Sequence, residues 1–151
     1  MHTNDNAKDF KIVRCKHSAI GQWEDFIPAK DEVLIGGLVF LKDWILRSEK
    51  INALSKLFVR NVKTDHEEEL IISDEEVISP GISLKQKDKN TDIVRVSYES
   101  PKTPTRTYEY NLKTKEKKLD KELEIPSGYN RDDYIVRRVN CDGHEIGRAH
   151  V

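Results

Sequence analysis

Apolar residues in this chain fall into short runs separated by charged and turn-forming residues, with no long stretch of helical spacing closed by caps. The runs "FKIVRC", "QWEDFI", "VLIGGLVFL", "WILRSE", "LSKLFVRNV", "EELIIS", "ISLKQK", "IVRVSYES", "TYEYNL" and "EKKL" have the length and composition of strands. Over 107–112, Tyr108, Tyr110 and Leu112 share a face, with Glu109 and Asn111 opposite. Over 55–62, both faces are apolar: Phe58 and Val62 on one, Leu57 and Val59 on the other. A strand with two apolar faces predicts a sheet packed on both sides. The pattern predicts an all-β chain.

The runs repeat. "RNVKT" at Arg60 to Thr64 lies 50 residues before "YNLKT" at Tyr110 to Thr114. The same offset sets Leu34 on Leu84, Trp44 on Val94, Leu46 on Val96 and Ser48 on Tyr98. Two units of four strands result, at roughly 32–40, 44–49, 55–62 and 67–72, then 82–87, 93–100, 106–112 and 116–121. The start, "FKIVRCKHSAIGQWEDFI", reads as the last two strands of an earlier unit. Four antiparallel strands in about 50 residues is the size of one β-propeller blade. A β-sandwich would show the same alternation without needing the repeat.

After Leu123 the rhythm changes. "EIPSGYNRDDY" is rich in turn formers, and "IVRRVNC" then leads to Asp142-Gly143, a hairpin signal whose second arm barely begins. An unfinished hairpin is what a chain leading into a further domain would show.

Composition narrows the function classes. Apolar residues make up 36% and charged residues 35%, which is polar for a globular chain. The formal net charge of −1 provides no overall field for nucleic acid or anionic membrane. The start "MHTNDNAKDF" lacks the regions of a secretory signal, and no apolar run has transmembrane length, so a cytoplasmic chain is expected. Cys15 and Cys141 read as unrelated reduced thiols. No CxxC or HExxH occurs and the five histidines are scattered, so no metal or cofactor is expected.

Parts of catalytic constellations occur without their setting. Ser18 follows His17, Asp65 precedes His66, and Cys141-Asp142 lies near His144, but no Gly-x-Ser-x-Gly elbow accompanies them. Adjacent strand residues also point to opposite faces. Exposed turn residues are the simpler reading, and no catalytic residue is assigned. Lys113, Lys115, Lys117 and Lys118 beside Tyr108 and Tyr110 have the texture of a nucleic-acid surface. Glu109, Glu116, Asp120 and Glu122 dilute that charge, and no nucleic-acid partner is expected. Glu67, Glu68 and Glu69 with Asp74, Glu75 and Glu76 lack the glycine turn of a calcium loop, and read as a solvated edge that discourages sheet-to-sheet pairing. Pro101, Pro104 and Pro126 sit in connectors, and Trp23 and Trp44 read as packing residues between blades.

From Asp9 to about Ile146 the chain resembles the last propeller blades of oligopeptidase B (protease II), in the prolyl oligopeptidase family of serine peptidases. The likeness rests on "GQWEDFIP", "GGLVFLKDWILRSE", "VSYESPKTPTRTYEYNLKTKEKKL" and "EIPSGYNRDDYIVRRVNCDG". The resemblance implies a seven-bladed propeller capping an α/β-hydrolase domain, admitting short peptides that are cut after basic residues. The expected organisation is a disordered tail over 1–8 and a partial propeller over 9–123, with blades at about 9–28, 32–72 and 82–121. A linker over 124–146 toward the peptidase domain and a non-family tail over 147–151 complete it. The tail "GRAHV" departs from the family and points to a truncated or frameshifted copy. The implied role is gating of substrate access, with the peptidase domain and the remaining blades as partners and no activity of this piece alone. The acidic cluster would then bias the channel toward basic peptides. An independent β-rich interaction module and a weak RNA binder are the competing readings. Open apolar faces at both ends predict marginal stability for the piece by itself.

Overall fold

The structure is a computed structural model and describes residues 1–76, 78–83 and 89–139. Among the described residues, eleven strands form three antiparallel sheets in which sequence neighbours pair. The first sheet contains β1 (His2–Thr3), β2 (Lys11–Arg14) and β3 (Glu24–Ile27). The second contains β4 (Val33–Phe40), β5 (Trp44–Ile51), β6 (Leu54–Asn61) and β7 (Glu67–Glu69). The third contains β8 (Ser79–Ser83), β9 (Ile93–Ser100), β10 (Thr103–Asn111) and β11 (Lys117–Glu122). The only helical pieces among the described residues are two three-residue 3₁₀ turns, His17–Ala19 and Arg131–Asp133. The all-β expectation holds, as does the four-strand unit.

Two faces of the second sheet are buried, as the alternation in 55–62 requires. Leu46, Leu57 and Val59 point toward the third sheet and meet Val94, Val96, Tyr98 and Leu112 there. Tyr108 and Tyr110 pack on the same cluster. On the other side, Ile12 and Ile27 of the first sheet close over Ile35. Leu46, Val94 and Val96 have no exposed surface at all, so the contact between the second and third sheets is the dry centre of the molecule.

The repeat corner is the same turn twice. Asn61 Oδ1 accepts from the backbone N–H of Lys63 at 2.9 Å and of Thr64 at 3.1 Å, and Asn111 Oδ1 accepts from Lys113 and Thr114 at the same two distances. Each turn closes with a residue in the left-handed region, Asp65 at φ 59° and Lys115 at φ 63°. A short side-chain acceptor that serves two backbone donors is why asparagine stands at both corners.

The 50-residue offset fails one strand earlier, and the reason is a single proline. Trp44 pairs with Asn61 and Ile93 pairs with Asn111, so Trp44 corresponds to Ile93, 49 residues on. Ile45, Arg47 and Glu49 are therefore the counterparts of Val94, Val96 and Tyr98, and the sequence alignment of Trp44, Leu46 and Ser48 with those residues is corrected by one. The extra residue enters β10 between Thr103 and Arg106, where the pairing register slips. Pro104, expected in a connector, sits in that slip because it has no N–H to give the ladder. A one-residue change of correspondence exchanges faces, so Arg47 and Glu49, which point to the first sheet, match Val96 and Tyr98, and Leu46, which points to the third, does not.

Four further expectations change. Residues 1–8 are ordered, not a disordered tail: β1 pairs with β2, Ala7 is buried, and the Met1 amino group donates to the Val13 carbonyl at 2.6 Å. The first sheet accordingly has three strands where two were expected. β7 ends at Glu69, and Leu70 and Ile72 turn inward to join the core between the second and third sheets. β8 begins at Ser79, earlier than expected, and Leu84 lies outside the described residues. The outer face of the third sheet is not an open apolar surface: Arg95, Glu99, Thr107, Glu109 and Lys118 line it, and Arg95 binds Asp120 at 3.0 Å. Among the described residues no strand follows Glu122, and Asp142-Gly143 and the tail 147–151 lie outside them.

Replacing either corner asparagine with alanine (Asn61→Ala or Asn111→Ala) is expected to lower stability by about 1–2 kcal/mol, since two backbone donors lose their acceptor. A urea midpoint that falls with an unchanged denaturant slope would register it; midpoints equal to wild type would reject the turn as a source of stability.

Candidate functional site

The catalytic fragments seen in the sequence remain fragments. His17 and Ser18 lie in an exposed 3₁₀ turn with no buried residue. The Asp65 carboxylate is taken by the Arg60 guanidinium, and His66 faces Glu68 at 4.0 Å. Cys141, Asp142 and His144 lie outside the described residues. Among the described residues no group of three or more His, Cys, Asp or Glu is placed to hold a metal ion.

Four members of the acidic cluster, Glu67, Glu68, Glu69 and Glu75, are paired, while Asp74 and Glu76 face solvent as expected. β7 is an edge strand, yet Glu67 receives both terminal nitrogens of Arg47, Glu69 meets Lys56 at 2.9 Å, and Glu68 meets Lys115 of the next sheet at 2.7 Å. Glu75 is drawn inward by Ser100 and Thr103. The lysines at the second corner are used within the fold as well: Lys115 binds Glu68, and Lys117 donates to the Ile72 carbonyl at 2.9 Å while lying over the Tyr108 ring. Burial raises the Tyr108 and Tyr110 hydroxyls above the usual phenol range, as befits rings that pack against a core.

Trp44 lies between blades as expected, its indole N–H donating to Asp92 of the third sheet at 2.8 Å. Trp23 does not. It is 48% exposed and lines a groove of about 520 Å³ between the first and second sheets, together with Phe26, Phe40 and Val62.

Two features escaped the sequence reading. The first is a charged knot on the face of the second sheet turned to the first. Arg47 and Glu49 are 2% exposed each, and Arg47 Nε donates to Glu49 at 2.8 Å. Lys30 reaches Glu49 at 3.1 Å, and Arg47 and Lys30 both lie over the Phe58 ring. Desolvation pulls the Arg47 pKa down, but the hydrogen bonds and charges of Glu67 and Glu49 outweigh it and hold the guanidinium above its ordinary value. The Arg47 hydrogen bond holds the Glu67 carboxyl below the usual range. The signal was present in "WILRSEKI", where opposite charges two apart share a strand face with Ile45 and Ile51.

The second feature is the end of the sheets where the β5–β6 and β9–β10 hairpins lie. A groove of about 650 Å³ opens there, lined by Lys50, Leu54, Glu99, Ser100 and Thr105 from the sheets and by Tyr129 from the segment after β11. That segment runs across both hairpins: the Tyr129 hydroxyl donates to the Lys102 carbonyl, and Arg138 donates to the Asn52 carbonyl at 2.6 Å. The arrangement contains hydrogen-bonding groups and apolar wall; its Ser100 hydroxyl is held by the Glu75 carboxylate, and no histidine lines it.

Arg47→Ala is expected to cost about 3 kcal/mol because it leaves buried Glu49 with only the partly exposed Lys30 to meet it, whereas replacing Arg47 and Glu49 together with apolar residues of similar volume costs far less. Denaturation midpoints of the single and double variants decide it, and equal losses would reject the pairing. Glu67 adds a pH signature. Its folded pKa is depressed, so its contribution is present above the ordinary carboxylate pKa and lost as pH falls through the folded value. Glu67→Gln is expected to flatten the acid limb of the stability profile; an unchanged limb would count against it.

The family described as "Prolyl oligopeptidase, N-terminal beta-propeller domain" matches residues 1–122. Dipeptidyl aminopeptidase BI of Pseudoxanthomonas mexicana is 34% identical over 142 residues, covering 92% of this chain and 19% of the relative. Protease 2 of Moraxella lacunata is 25% identical, covering 93% of this chain and 20% of that protein. Among solved structures, oligopeptidase B from Trypanosoma brucei with covalently bound antipain, in a closed form, superposes with a TM-score of 0.81 at 26% identity, covering 90% of this chain and 20% of that one. The chain therefore spans about a fifth of the length of the curated relatives it matches. The family matched is the one the sequence segments pointed to, and the three stacked sheets are blades. The chain belongs to the prolyl oligopeptidase family and forms part of its N-terminal β-propeller domain.

Proposed function

We propose that this chain is the non-catalytic propeller part of a serine oligopeptidase of the oligopeptidase B kind, acting in substrate access to a peptidase domain that cleaves short peptides after Lys or Arg. The observation that carries this is the match of blades to relatives about five times longer, one of them an oligopeptidase B with antipain bound. The pieces fit the role. The second sheet buries both faces between its neighbours, and among the described residues no catalytic set is brought together. Blades at about 1–28, 32–72 and 79–122 and a linker over 124–146 are the proposed organisation, with the peptidase domain and the remaining blades as partners. A cytoplasmic setting agrees with the free thiol of Cys15. No helix among the described residues is long and apolar enough to cross a membrane.

The test uses an intact enzyme containing this segment and compares kcat/KM for substrates of increasing length with Arg, Lys or a neutral residue before the scissile bond. Steep loss with length and a strong preference for Arg and Lys are expected. Equal cleavage of folded proteins and short peptides would reject the gating role, and indifference to the basic residue would reject the specificity. Hydrolysis by the 151-residue chain alone would overturn its assignment as non-catalytic.

A further inference from the structure

The segment after β11 is fastened to the blades by a small number of polar contacts, one of which reaches a carboxylate that also holds the β9–β10 hairpin. Glu75 sits in the connection between β7 and β8, and its side chain is only 7% exposed. One carboxylate oxygen accepts from the Ser100 hydroxyl at 2.5 Å, and the other accepts from the Thr103 hydroxyl at 2.6 Å and from Arg131 Nη2 at 3.4 Å. Ser100 and Thr103 flank the β9–β10 hairpin, and Arg131 opens the 3₁₀ turn of the following segment. Three pieces of chain distant in sequence therefore meet at one side chain. Burial works to raise the Glu75 pKa, but the two hydroxyls and the charges of Arg131 and Lys102 outweigh it and hold the carboxyl ionised.

The segment itself has little else to hold it. Leu123 N–H donates to the Thr105 carbonyl at 2.9 Å, Tyr129 binds the Lys102 carbonyl, and Arg138 binds the Asn52 carbonyl. Its own order is local. Gly128, at φ +80°, closes a turn on the Ile125 carbonyl, Asn130 caps the 3₁₀ turn through the Asp132 N–H, and the Tyr129 and Tyr134 rings stack at 5.2 Å. Tyr134, Ile135 and Val139 are 53%, 77% and 82% exposed, so apolar burial contributes little to holding it. A segment secured at a few polar points, without a buried core of its own, belongs to the low-stability end of a fold.

We propose that Glu75 is a clasp: it holds residues 123–139 as a strap across the β5–β6 and β9–β10 hairpins, and losing it frees the strap while the blades stay folded. Two features fit this role. The strap touches Lys102 of the third sheet and Asn52 of the second, so it ties adjacent blades together at one end. The clasp lies between those blades, where a shift of one against the other would stretch it. Its meaning as a control on how the propeller is joined to a following domain rests on the reading of 124–146 as a linker; the clasp itself concerns this chain alone.

Hydrogen exchange on the 151-residue chain, wild type against Glu75→Gln and Arg131→Ala, tests it. In Glu75→Gln, amides of 123–139 are expected to exchange roughly tenfold faster, the effect of losing about one charge-assisted hydrogen bond, while β5, β6 and β9 keep their protection. Arg131→Ala removes only the strap's arm, so it is expected to speed 123–139 and leave the Ser100 to Thr103 hairpin unchanged. Unchanged strap exchange in both variants would overturn the clasp, as would a uniform rise across all three sheets. These outcomes do not depend on whether a peptidase domain follows, so they separate failure of the clasp from failure of the gating role.

Discussion

The packing of the second sheet on the third is the constraint from which most of the structure follows. A sheet with apolar side chains on both faces has no stable exposed state, and β6 presents Leu57 and Val59 on one side and Phe58 on the other. Leu46, Val94 and Val96 at the centre are completely shielded from water. Everything nearby serves that contact: Leu70 and Ile72 leave their strand to enlarge it, Trp44 reaches across to Asp92, and Tyr108 and Tyr110 cover its edge.

The two inter-sheet contacts are built from different chemistry. Between the second and third sheets the layer is apolar and dry. Between the first and second sheets, Arg47 and Glu49 occupy the positions that Val96 and Tyr98 fill one blade later, and Lys30, Glu67 and Phe58 complete the set. Buried charge of this sort adds little net stability but penalises any arrangement that separates the partners. The blades share a backbone plan and differ in what they accept as neighbours.

Much of this was legible in the chain. Strand alternation in 55–62 and 107–112 was enough to predict two-sided burial, and the paired Asn-x-Lys-Thr corners located equivalent turns because one side-chain oxygen serves the same two donors in each. The family segments led to the right family, since they were compared as whole phrases. The order of residues 1–8 was missed because a two-residue strand carries no periodic signal and gains its partner only from β2. Trp23 was misplaced for a related reason: aromatic size predicts burial, but β3 begins only after it, at Glu24, and leaves it at a groove mouth. The acidic run misled as well, because a count of like charges does not reveal which cations the next strand or the next sheet will bring.

The amino-acid sequence by itself determined the strands, the four-strand unit, the repeat corners and the family, because each depends on local alternation, turn chemistry or a phrase of residues read together. Tertiary structure decided which face each strand turns to its neighbour. Pro104 shifts one ladder by a residue, and in a period-two element one residue is the difference between the two sides of a sheet. It also decided that Glu75, one carboxylate in an acidic run, would meet a hairpin and a strap: Ser100, Thr103 and Arg131 reach it only once two blades are stacked.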